Sequence, residues 1–355
     1  MSRPAIAYIH LEHLRHNYRI LKEKAGSTTV MAVVKADAYG HGLAPIAGTL
    51  HAEGCRIFGV TDAKEGAALR DILNDETTVI VLLSGIFDPE DAVLACDHDL
   101  VPAITDPEQV LLLQQAGFTG KVWLKVDTGM NRLGAEYPGR LLDKCREKHI
   151  GIAGMMSHLA CADIPDHPLN RQQVDAFTKL AETLASGLPA SLLNSAGLVT
   201  LPGHTLDMIR PGIALYGAEP VPDLPLGLKP VMRLTGRVMQ IRSISRGDAV
   251  SYGATFTADR DMRIATVCLG YADGLPRGLS GKGHGVHAGR RLPVLGRVCM
   301  DYTILDISES DVEKGAEIEF WGTALPANDV AAMLGTISYT LFTGVGQRVR
   351  RETVA

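Results

Sequence analysis

Short apolar runs alternate with amphipathic stretches through the first two-thirds of the chain. Amphipathic stretches with helical spacing, such as 62–73 and 171–184, lie between the runs, and the first opens on the capping pair Asp62 and Glu65. Eight runs have the length and composition of buried strands: 30–34, 57–60, 79–83, 100–104, 122–126, 152–156, 192–194 and 208–210. Eight strands, each followed by a helix, favour an α/β fold with a (β/α)8 TIM-type barrel over an open sheet.

The pattern changes after Pro220. Residues 221–230 are rich in proline and are typical of a linker. Strand-like runs broken by glycine turns follow at 231–241, 263–269, 292–298 and 302–307, with one helix candidate at 327–334. We therefore predict a barrel domain at 1–225 and a mostly β domain at 226–355, and expect residues 1–10 to form a further strand that could pair with the second domain.

Composition excludes several classes of protein. The 355 residues are 46% hydrophobic with a net charge of -5, which is enough for a large core and gives no basic footprint for nucleic acid. No apolar run is long enough for a membrane helix, so we expect a cytoplasmic protein that binds neither nucleic acid nor membrane. Six cysteines are scattered without a C-x-x-C, and the grouping of His158, Cys161 and Asp163 lacks a second matched cluster, so we expect no metal site.

The barrel prediction directs attention to the carboxyl ends of the strands, where such enzymes carry their chemistry. Lys35 ends the first apolar run, where burial would make its amine a nucleophile able to form a Schiff base. An ordinary lysine after a strand is the alternative. Ser195, Gly212 and Ile213 follow the seventh and eighth strands, the usual place of a phosphate site. A phosphate site opposite an imine-forming lysine indicates pyridoxal 5'-phosphate.

Nine motifs, in this order, resemble those of the alanine racemase family: V-V-K-A-D-A-Y-G-H-G, D-T-G-M-N-R-L-G, M-S-H-L-A, N-S-A, R-P-G-I-A-L-Y-G, S-Y-G-A-T-F, G-Y-A-D-G, G-R-V-C-M-D and T-I-S-Y. Each motif alone is weak, but together they span nearly the whole chain. The resemblance implies a barrel that carries pyridoxal phosphate, a β-rich second domain and a homodimer.

The resemblance also implies residue roles. Lys35 would hold the cofactor covalently and act as the base for the D-enantiomer, and Tyr252, from the partner subunit, would be the base for the L-enantiomer. Arg210 would contact the pyridine nitrogen with support from His158. The phosphate would be bound by Tyr39, Ser195, Gly212, Ile213 and Tyr339.

Substrate binding is implied in the same way. Arg132 and the backbone of Met300, with Asp301 beside it, would bind the substrate carboxylate. Lys125 could be carbamylated by carbon dioxide and so orient Arg132, or could be an unmodified lysine. The entrance would be lined by Asp163, Tyr271, Arg277 and Arg297. The ending L-F-T-G-V-G-Q-R-V-R-R-E departs from the family's commoner V-P-R, and we expect this tail not to touch the named chemistry.

Two other functions remain to be weighed. A decarboxylase on the same two-domain fold would bring a glycine-rich phosphate loop and a C-E-S-type motif, neither of which is seen. A non-catalytic pyridoxal phosphate carrier would lack a second domain and Tyr252. We therefore expect racemisation of alanine, with serine as a minor substrate, either to supply D-alanine for peptidoglycan or to feed alanine catabolism.

Overall fold

The computed structural model describes residues 4–355, and in it eight parallel strands close into a barrel. The chain first forms β1 (Ala5–His10) and α1 (Leu11–Ala25). The barrel strands follow: β2 (Thr29–Val33), β3 (Ile57–Val60), β4 (Val79–Leu82), β5 (Leu100–Ile104), β6 (Lys121–Lys125), β7 (Gly151–Met156), β8 (Ala190–Asn194) and β9 (Met208–Arg210). Pairing is sequential, and β9 returns to β2 with Met208 opposite Thr29. The predicted (β/α)8 barrel is confirmed.

Helices follow the strands along the barrel. They are the left-handed helical turn α2 (Lys35–Gly40), α3 (Leu43–Ala52), α4 (Ala63–Leu73), α5 (Pro89–Asp97), α6 (Pro107–Gln115), α7 (Pro138–Glu147), α8 (Pro168–Leu184) and α9 (Ser195–Thr200). Asp62 caps α4 by accepting from the Glu65 N–H at 3.0 Å, and Asp88 and Asp106 cap α5 and α6 in the same way. These caps fix where each helix leaves the mouth of the barrel.

The barrel interior is packed with side chains. One buried cluster takes a side chain from each of six strands: Met31, Val81, Ala103, Trp123, Met156 and Met208. Trp123 fills space that glycine leaves beside it, since a Cβ on Gly154 would lie 2.5 Å from its ring. The interior is thus a core rather than a pore, and it gives the residues at the strand ends a rigid base.

The second region is mostly strand, as predicted. Its strands are β10 (Met232–Ile244), β11 (Ala249–Val250), β12 (Phe256–Thr257), β13 (Met262–Val267), β14 (His284–His287), β15 (Arg290–Pro293), β16 (Thr303–Asp306), β17 (Glu317–Trp321) and β18 (Arg350–Val354), with helices α10 (Ala327–Leu334) and α11 (Ser338–Thr343). The sheet runs β15-β14-β17-β10-β1-β18, and β13 joins β10 to β16. The run at 292–298 is a strand only to Pro293, because the chain then loops back and Arg297 O accepts from Ser251 Oγ at 2.7 Å.

The first strand belongs to this second sheet. β1 pairs antiparallel with β10, with Ala5 opposite Gly236, and parallel with β18. Residues 1–3 of the predicted strand lie outside the described residues. The division of the chain at residue 225 stays a prediction. The stretch 221–230 is held against α1, because buried Asn17 donates to Lys229 O at 2.8 Å and accepts from the Lys229 N–H. Across residues 4–355, no helix combines the length and the apolar character needed to cross a bilayer.

Candidate active site

A cavity of about 700 Å³ opens at the carboxyl ends of the barrel strands. This size is ordinary for a cofactor site. The cavity brings together most of the site residues singled out from the sequence: Lys35, Tyr39, Lys125, Arg132, His158, Ser195, Arg210, Gly212, Ile213 and Tyr339. The last of these comes from α11, so the second domain closes one side of the cavity.

The turn that follows Lys35 has a left-handed backbone. Ala36, Asp37, Ala38 and Tyr39 all have φ of 53–54° and ψ of 40–53°. Non-glycine residues rarely adopt this conformation, and each costs about 1–2 kcal/mol. Such a segment persists only where its surroundings fix it. The turn directs Lys35 and Tyr39 to the same cavity.

Contacts from distant parts of the chain hold this turn. The Ala36 N–H donates to Glu65 Oε1 at 2.7 Å, and Arg351 Nε donates to Gly40 O at 3.1 Å. His41 lies behind the turn with Nδ1 3.0 Å from the carbonyls of Ala38 and Tyr39, so this nitrogen carries the proton. Burial lowers the pKa of His41 to about 3, so its ring stays neutral.

Both lysines in the cavity are shifted toward the neutral amine. Burial, and next the positive charge of Arg132, lower the pKa of Lys35, while Glu65 opposes them. Burial first, and then the charges of Arg210, Arg132 and Lys35, lower the pKa of Lys125 to about 8. The Lys125 Nζ donates to Leu83 O at 2.6 Å. Each amine is therefore more nucleophilic near neutral pH than an ordinary lysine.

Arg210 is a buried cation whose hydrogen-bond partners are neutral. Its guanidinium donates to Ser191 Oγ at 2.5 Å, to Leu192 O at 3.1 Å and to Ser157 O, and one nitrogen lies 3.3 Å from His158 Nδ1. Burial lowers its pKa to about 10, so the group stays charged at neutral pH. Burial and then the charge of Arg210 hold the pKa of His158 well below its usual value, so the imidazole accepts this contact as a neutral base.

Hydroxyl groups and backbone N–H groups also line this cavity or lie next to it. Ser195 Oγ accepts from the N–H of Gly212 at 2.9 Å and of Ala214 at 3.4 Å. A Cβ on Gly212 would lie 2.4 Å from the Tyr39 hydroxyl, so glycine is needed there. Burial raises the pKa of Tyr39, and of Tyr339 to about 12, which keeps both phenols protonated as donors. A donor set of this kind suits a phosphate.

These groups fit pyridoxal phosphate. The nucleophilic amine of Lys35 suits its aldehyde, the donors around Ser195 suit its phosphate, and the permanent cation Arg210 can donate to a ring nitrogen. Glycine at 212 lets the Tyr39 hydroxyl come close to the backbone of this donor set. Among the described residues, no cluster of three or more His, Cys, Asp or Glu side chains could hold a metal ion.

Arg132 is presented to the cavity by a loop that its own aspartate organises. Asp127 Oδ1 accepts from the Gly129 N–H at 2.7 Å, and Oδ2 accepts from the Arg132 N–H at 3.3 Å. The side chain is exposed, and its charge reaches both Lys35 and Lys125. A guanidinium in this position can form a hydrogen-bonded ion pair with a carboxylate that enters from solvent.

Several predicted site residues lie on a different surface. Tyr252 is 71% exposed, Met300 52% and Tyr271 42%, and none of the three lines the Lys35 cavity. They belong to three loops of the second domain, 251–254, 270–274 and 296–301, which we call the rim loops; Asp301 and Arg297 lie on them too. Asp163 lies beside Tyr339, whose pKa it helps to raise.

The rim loops are exposed but firmly connected. Tyr271 N–H donates to Cys299 O and Ala272 N–H to Met300 O, both at 3.0 Å. A Cβ on Gly253 would lie 3.1 Å from the Arg297 guanidinium, which packs against it. Arg277 is linked to the same loops, since Ser280 Oγ donates to its carbonyl and accepts from the Val298 N–H. The three loops thus form one continuous surface.

The expectation that the C-terminal tail avoids the named chemistry is wrong. Arg348 Nε donates to the buried carboxylate of Asp273 at 2.7 Å, and a second nitrogen of the same guanidinium donates to Asp301. Arg351 contacts the left-handed turn at Gly40. The tail reaches both places because β18 pairs with β1, at the junction of the two domains.

Other contributing residues were missed from the sequence. Ser157 and Ser191 are buried and bind Arg210, and Glu65 appeared only as a helix-capping residue. Ser191 lies directly before the predicted strand 192–194, and a serine in the buried strand Ala190–Asn194 needs a hydrogen-bond partner, which was the available signal. No local pattern could reveal that Glu65 reaches Ala36.

The chain matches two family models over most of its length. The model for "Alanine racemase, N-terminal domain" matches residues 9–220, and that for "Alanine racemase, C-terminal domain" matches residues 231–353. The alanine racemase of Stutzerimonas stutzeri is 40% identical, with 99% of each chain covered, and that of Halorhodospira halophila is 41% identical, with 100% of this chain and 99% of the relative covered.

Solved structures are similar as well. The biosynthetic alanine racemase from Pseudomonas aeruginosa superposes with a TM-score of 0.93 at 37% identity, covering 99% of this chain and 100% of the other. An alanine racemase from Bartonella henselae, described with covalently bound pyridoxal phosphate, superposes with a TM-score of 0.91 at 33% identity, covering 99% of each chain.

Proposed function

The chain belongs to the alanine racemase family and is an enzyme of that class, and from this premise we propose that it interconverts L-alanine and D-alanine by two-base proton transfer on pyridoxal phosphate held at Lys35. The observation that carries the proposal is the convergence of Lys35, Arg210 and the donors around Ser195 on one cavity. Two bases are the economical solution because a proton must leave one face of the substrate and arrive on the other.

When bound, pyridoxal phosphate supplies an electrophilic aldehyde and an electron-withdrawing ring that acidifies the Cα–H of an attached amino acid. Lys35 would bind the cofactor covalently. Once the substrate has taken its place, the Lys35 amine would accept or return a proton on its own side of the substrate. The lowered pKa of Lys35 supports both roles, since a neutral amine is needed for each. Tyr39, Ser195, Gly212, Ile213 and Tyr339 would hold the phosphate.

Arg210 would bind the pyridine nitrogen and leave it unprotonated. A guanidinium donates a hydrogen bond but does not give up its proton, and the neutral partners of Arg210 add no acid to the site. A ring nitrogen without a proton withdraws electrons less strongly, which would disfavour transamination. His158 would keep the guanidinium in place.

Tyr252 of the partner subunit would be the base for the L-enantiomer, with Lys35 serving the D-enantiomer. Tyr252 is exposed and does not line the Lys35 cavity of its own chain, which supports a homodimer with shared sites. Met300 and Asp301, on the same rim loops, would approach the substrate carboxylate beside Arg132. Asp163, Tyr271, Arg277 and Arg297 would line the entrance.

Lys125 would be carbamylated and would orient Arg132. Its pKa of about 8 leaves a substantial neutral fraction near neutral pH, which reaction with carbon dioxide requires. The anion formed would replace a cation that repels Arg132. Unmodified Lys125, donating to Leu83 O, is the alternative.

We further propose that the enzyme works in the cytoplasm and supplies D-alanine for peptidoglycan. Relatives named "Alanine racemase, biosynthetic", such as that of Agrobacterium fabrum at 38% identity, support the biosynthetic role over alanine catabolism. Serine would be a minor substrate, since one hydroxyl is rejected only modestly by a pocket without a partner for it.

The test is alanine turnover in deuterium oxide with pyridoxal phosphate added. We expect deuterium at Cα in both enantiomers recovered by chiral chromatography, no carbon dioxide release, and a borohydride-reduced adduct on the peptide that contains Lys35. Lys35→Ala should lose all of these, whereas Lys121→Ala, a matched change at the exposed start of β6, should retain them. An adduct without exchange would instead indicate a carrier, and carbon dioxide release a decarboxylase.

A further inference from the structure

Glu65 connects two loops at the mouth of the barrel. Its Oε1 accepts from the Ala36 N–H at 2.7 Å, and its Oε2 accepts from the Thr61 N–H at 2.8 Å. Its own N–H donates to Asp62 Oδ1 at 3.0 Å. The carboxylate is therefore held between the loop that carries Lys35 and the loop that starts α4, with both oxygens engaged.

The equivalent residues of the next two helices make one of these two contacts, the bond to the preceding loop. Glu65, Asp91 and Gln109 are each the third residue of a helix, and each accepts from a backbone N–H of the loop just before it. Asp91 Oδ2 takes the Phe87 N–H at 3.0 Å. Closing the local loop is thus a shared capping role. Glu65 differs because its second oxygen reaches the residue next to Lys35.

The residue that Glu65 reaches begins the strained turn. Ala36 is the first of the four left-handed residues, and its N–H is the point where the turn leaves the strand end. A conformation this unfavourable needs fixed partners, and a charge-assisted bond to a carboxylate is among the stronger ones. Loss of this bond would make the backbone next to Lys35 more mobile.

The charge of Glu65 also faces the Lys35 amine. Arg132, from the loop after β6, and Lys125, at the end of β6, present positive charge to the same space, while His158 is neutral. Burial and Arg132 favour the neutral amine, and Glu65 is the negative group that favours the charged one.

We propose that Glu65 is a positioning residue, whose carboxylate fixes the left-handed turn beside Lys35 and supplies the negative charge that balances the cations around its amine. It touches neither substrate nor cofactor in this role. The inference deepens the proposed function, because it concerns the lysine to which that function assigns the cofactor.

The test separates charge from geometry in the full-length protein freed of cofactor. The first measurement is the pH midpoint of Lys35 acetylation by acetic anhydride, followed by peptide mass spectrometry. Glu65→Gln and Glu65→Ala should both move the midpoint to lower pH by about half a unit, or about threefold in the neutral fraction, because the opposing charge is gone. A loosened turn would expose Lys35 to water and raise its pKa, so a merely structural role would not lower the midpoint.

The second measurement is amide hydrogen exchange in the peptide that spans the turn. Glu65→Ala should accelerate exchange at Ala36 about tenfold, and Glu65→Gln, which keeps an acceptor oxygen, should accelerate it less. The matched control is Asp91→Asn, which removes a carboxylate from the equivalent position one helix away and should move neither readout.

Either unchanged readout in the Glu65 variants would overturn the proposal: an unshifted midpoint removes the electrostatic role, and unchanged exchange removes the structural one. The same result from Asp91→Asn would also overturn it, because the effect would then be general. Failure of wild-type protein to form a pyridoxal phosphate adduct would count against the proposed function, while the acetylation midpoint and exchange would still decide the role of Glu65.

Discussion

The mouth of the barrel and the rim loops carry the two halves of the proposed site, and they are built differently. At the mouth, Arg210 and Ser195 are buried and hydrogen-bonded within one chain, around a cavity that is already formed. On the rim loops, Tyr252 and Met300 face solvent. The cofactor half is organised by folding alone, whereas the second base would acquire its surroundings only when two subunits meet.

Exposure on the rim loops does not mean looseness. A Cβ on Gly270 would lie 2.4 Å from Met300 O and 2.5 Å from Cys299 O, so two of the loops are in backbone contact. Asp273 anchors the turn from beneath, since its carboxylate accepts from the Gly270 N–H at 2.9 Å. The chain therefore presents Tyr271 and Met300 on a rigid base, which is what a pre-organised interface requires.

The largest expected effect tests the division between the halves directly. Lys35→Ala and Tyr252→Phe should each lower alanine racemisation by about 10²–10⁴-fold, since each removes a proton-transfer group. Mixing the two inactive proteins under conditions that exchange subunits should restore about a quarter of wild-type activity, because half of the dimers are mixed and each has one intact site. The measurement is activity against mixing ratio.

A double variant provides the control for this experiment. When Lys35→Ala/Tyr252→Phe is mixed with wild-type protein, every site of the mixed dimers should lack one base. The activity should then be lower than the fraction of wild-type protein in the mixture would give by itself. If mixtures of the single variants stay inactive after proven subunit exchange, both bases belong to one chain. The barrel mouth and the rim loops would then not be two halves of a shared site.

The barrel was predictable because its strands are apolar on both faces. Three of the eight predicted strands match the structure at both ends, and the rest differ by one or two residues, such as 192–194 against Ala190–Asn194. Lys35 and Arg210 could be placed at the mouth for the same reason, because strand ends in a parallel barrel share one face. Local periodicity was sufficient here.

The left-handed turn could not be predicted, because its cause is not local. A-D-A-Y contains no glycine, and only its aspartate has any tendency toward a positive φ, which does not predict four such residues in a row. The conformation depends on Glu65, on His41 behind the turn and on Arg351 near the end of the chain. β18 was missed for a related reason, since R-R-E-T-V is polar and pairs with β1 across the whole sequence.

The second prediction disturbs the barrel mouth alone. Gly212→Ala should weaken pyridoxal phosphate binding by about 10- to 100-fold, because the new Cβ would lie 2.4 Å from the Tyr39 hydroxyl and overpacking of this kind costs about 1–3 kcal/mol. Cofactor titration followed by absorbance measures it. Gly48→Ala in α3 meets nothing within 4 Å and is the matched control. Unchanged affinity in Gly212→Ala would mean that the close packing of Tyr39 against residue 212 is not needed for phosphate binding.

The third prediction concerns Lys125 and pH. The folded pKa is about 8 against an ordinary 10.5, so between these values the unfolded chain binds the proton and the folded chain does not. The free energy of unfolding of the wild type, relative to Lys125→Met, should therefore rise with pH across this window and flatten below about 8. Urea unfolding in buffer free of carbon dioxide measures it. A flat difference would contradict the depressed pKa.

Carbamylation is tested on the same pair of proteins. Labelled bicarbonate should give a carbamate resonance in the wild type that Lys125→Met lacks, and racemisation should rise about two- to fivefold as the anion replaces the cation beside Arg132. A resonance without a rate increase would assign the modification but remove its role at Arg132.

The last prediction asks whether the rim loops can be altered without the barrel mouth. Arg348→Met removes the bonds to Asp273 and Asp301 and should raise the KM for alanine about threefold to tenfold, with little change in kcat, because the loop that presents Met300 loses one support while its backbone contacts remain. The rate of pyridoxal phosphate attachment at Lys35 should not change. Arg350→Gln, which loses only an exposed pair with Glu352, is the matched control and should leave the KM unchanged. If Arg348→Met slowed cofactor attachment as much as it raised the KM, the tail would couple the two halves, and the independence of barrel mouth and rim loops would be wrong.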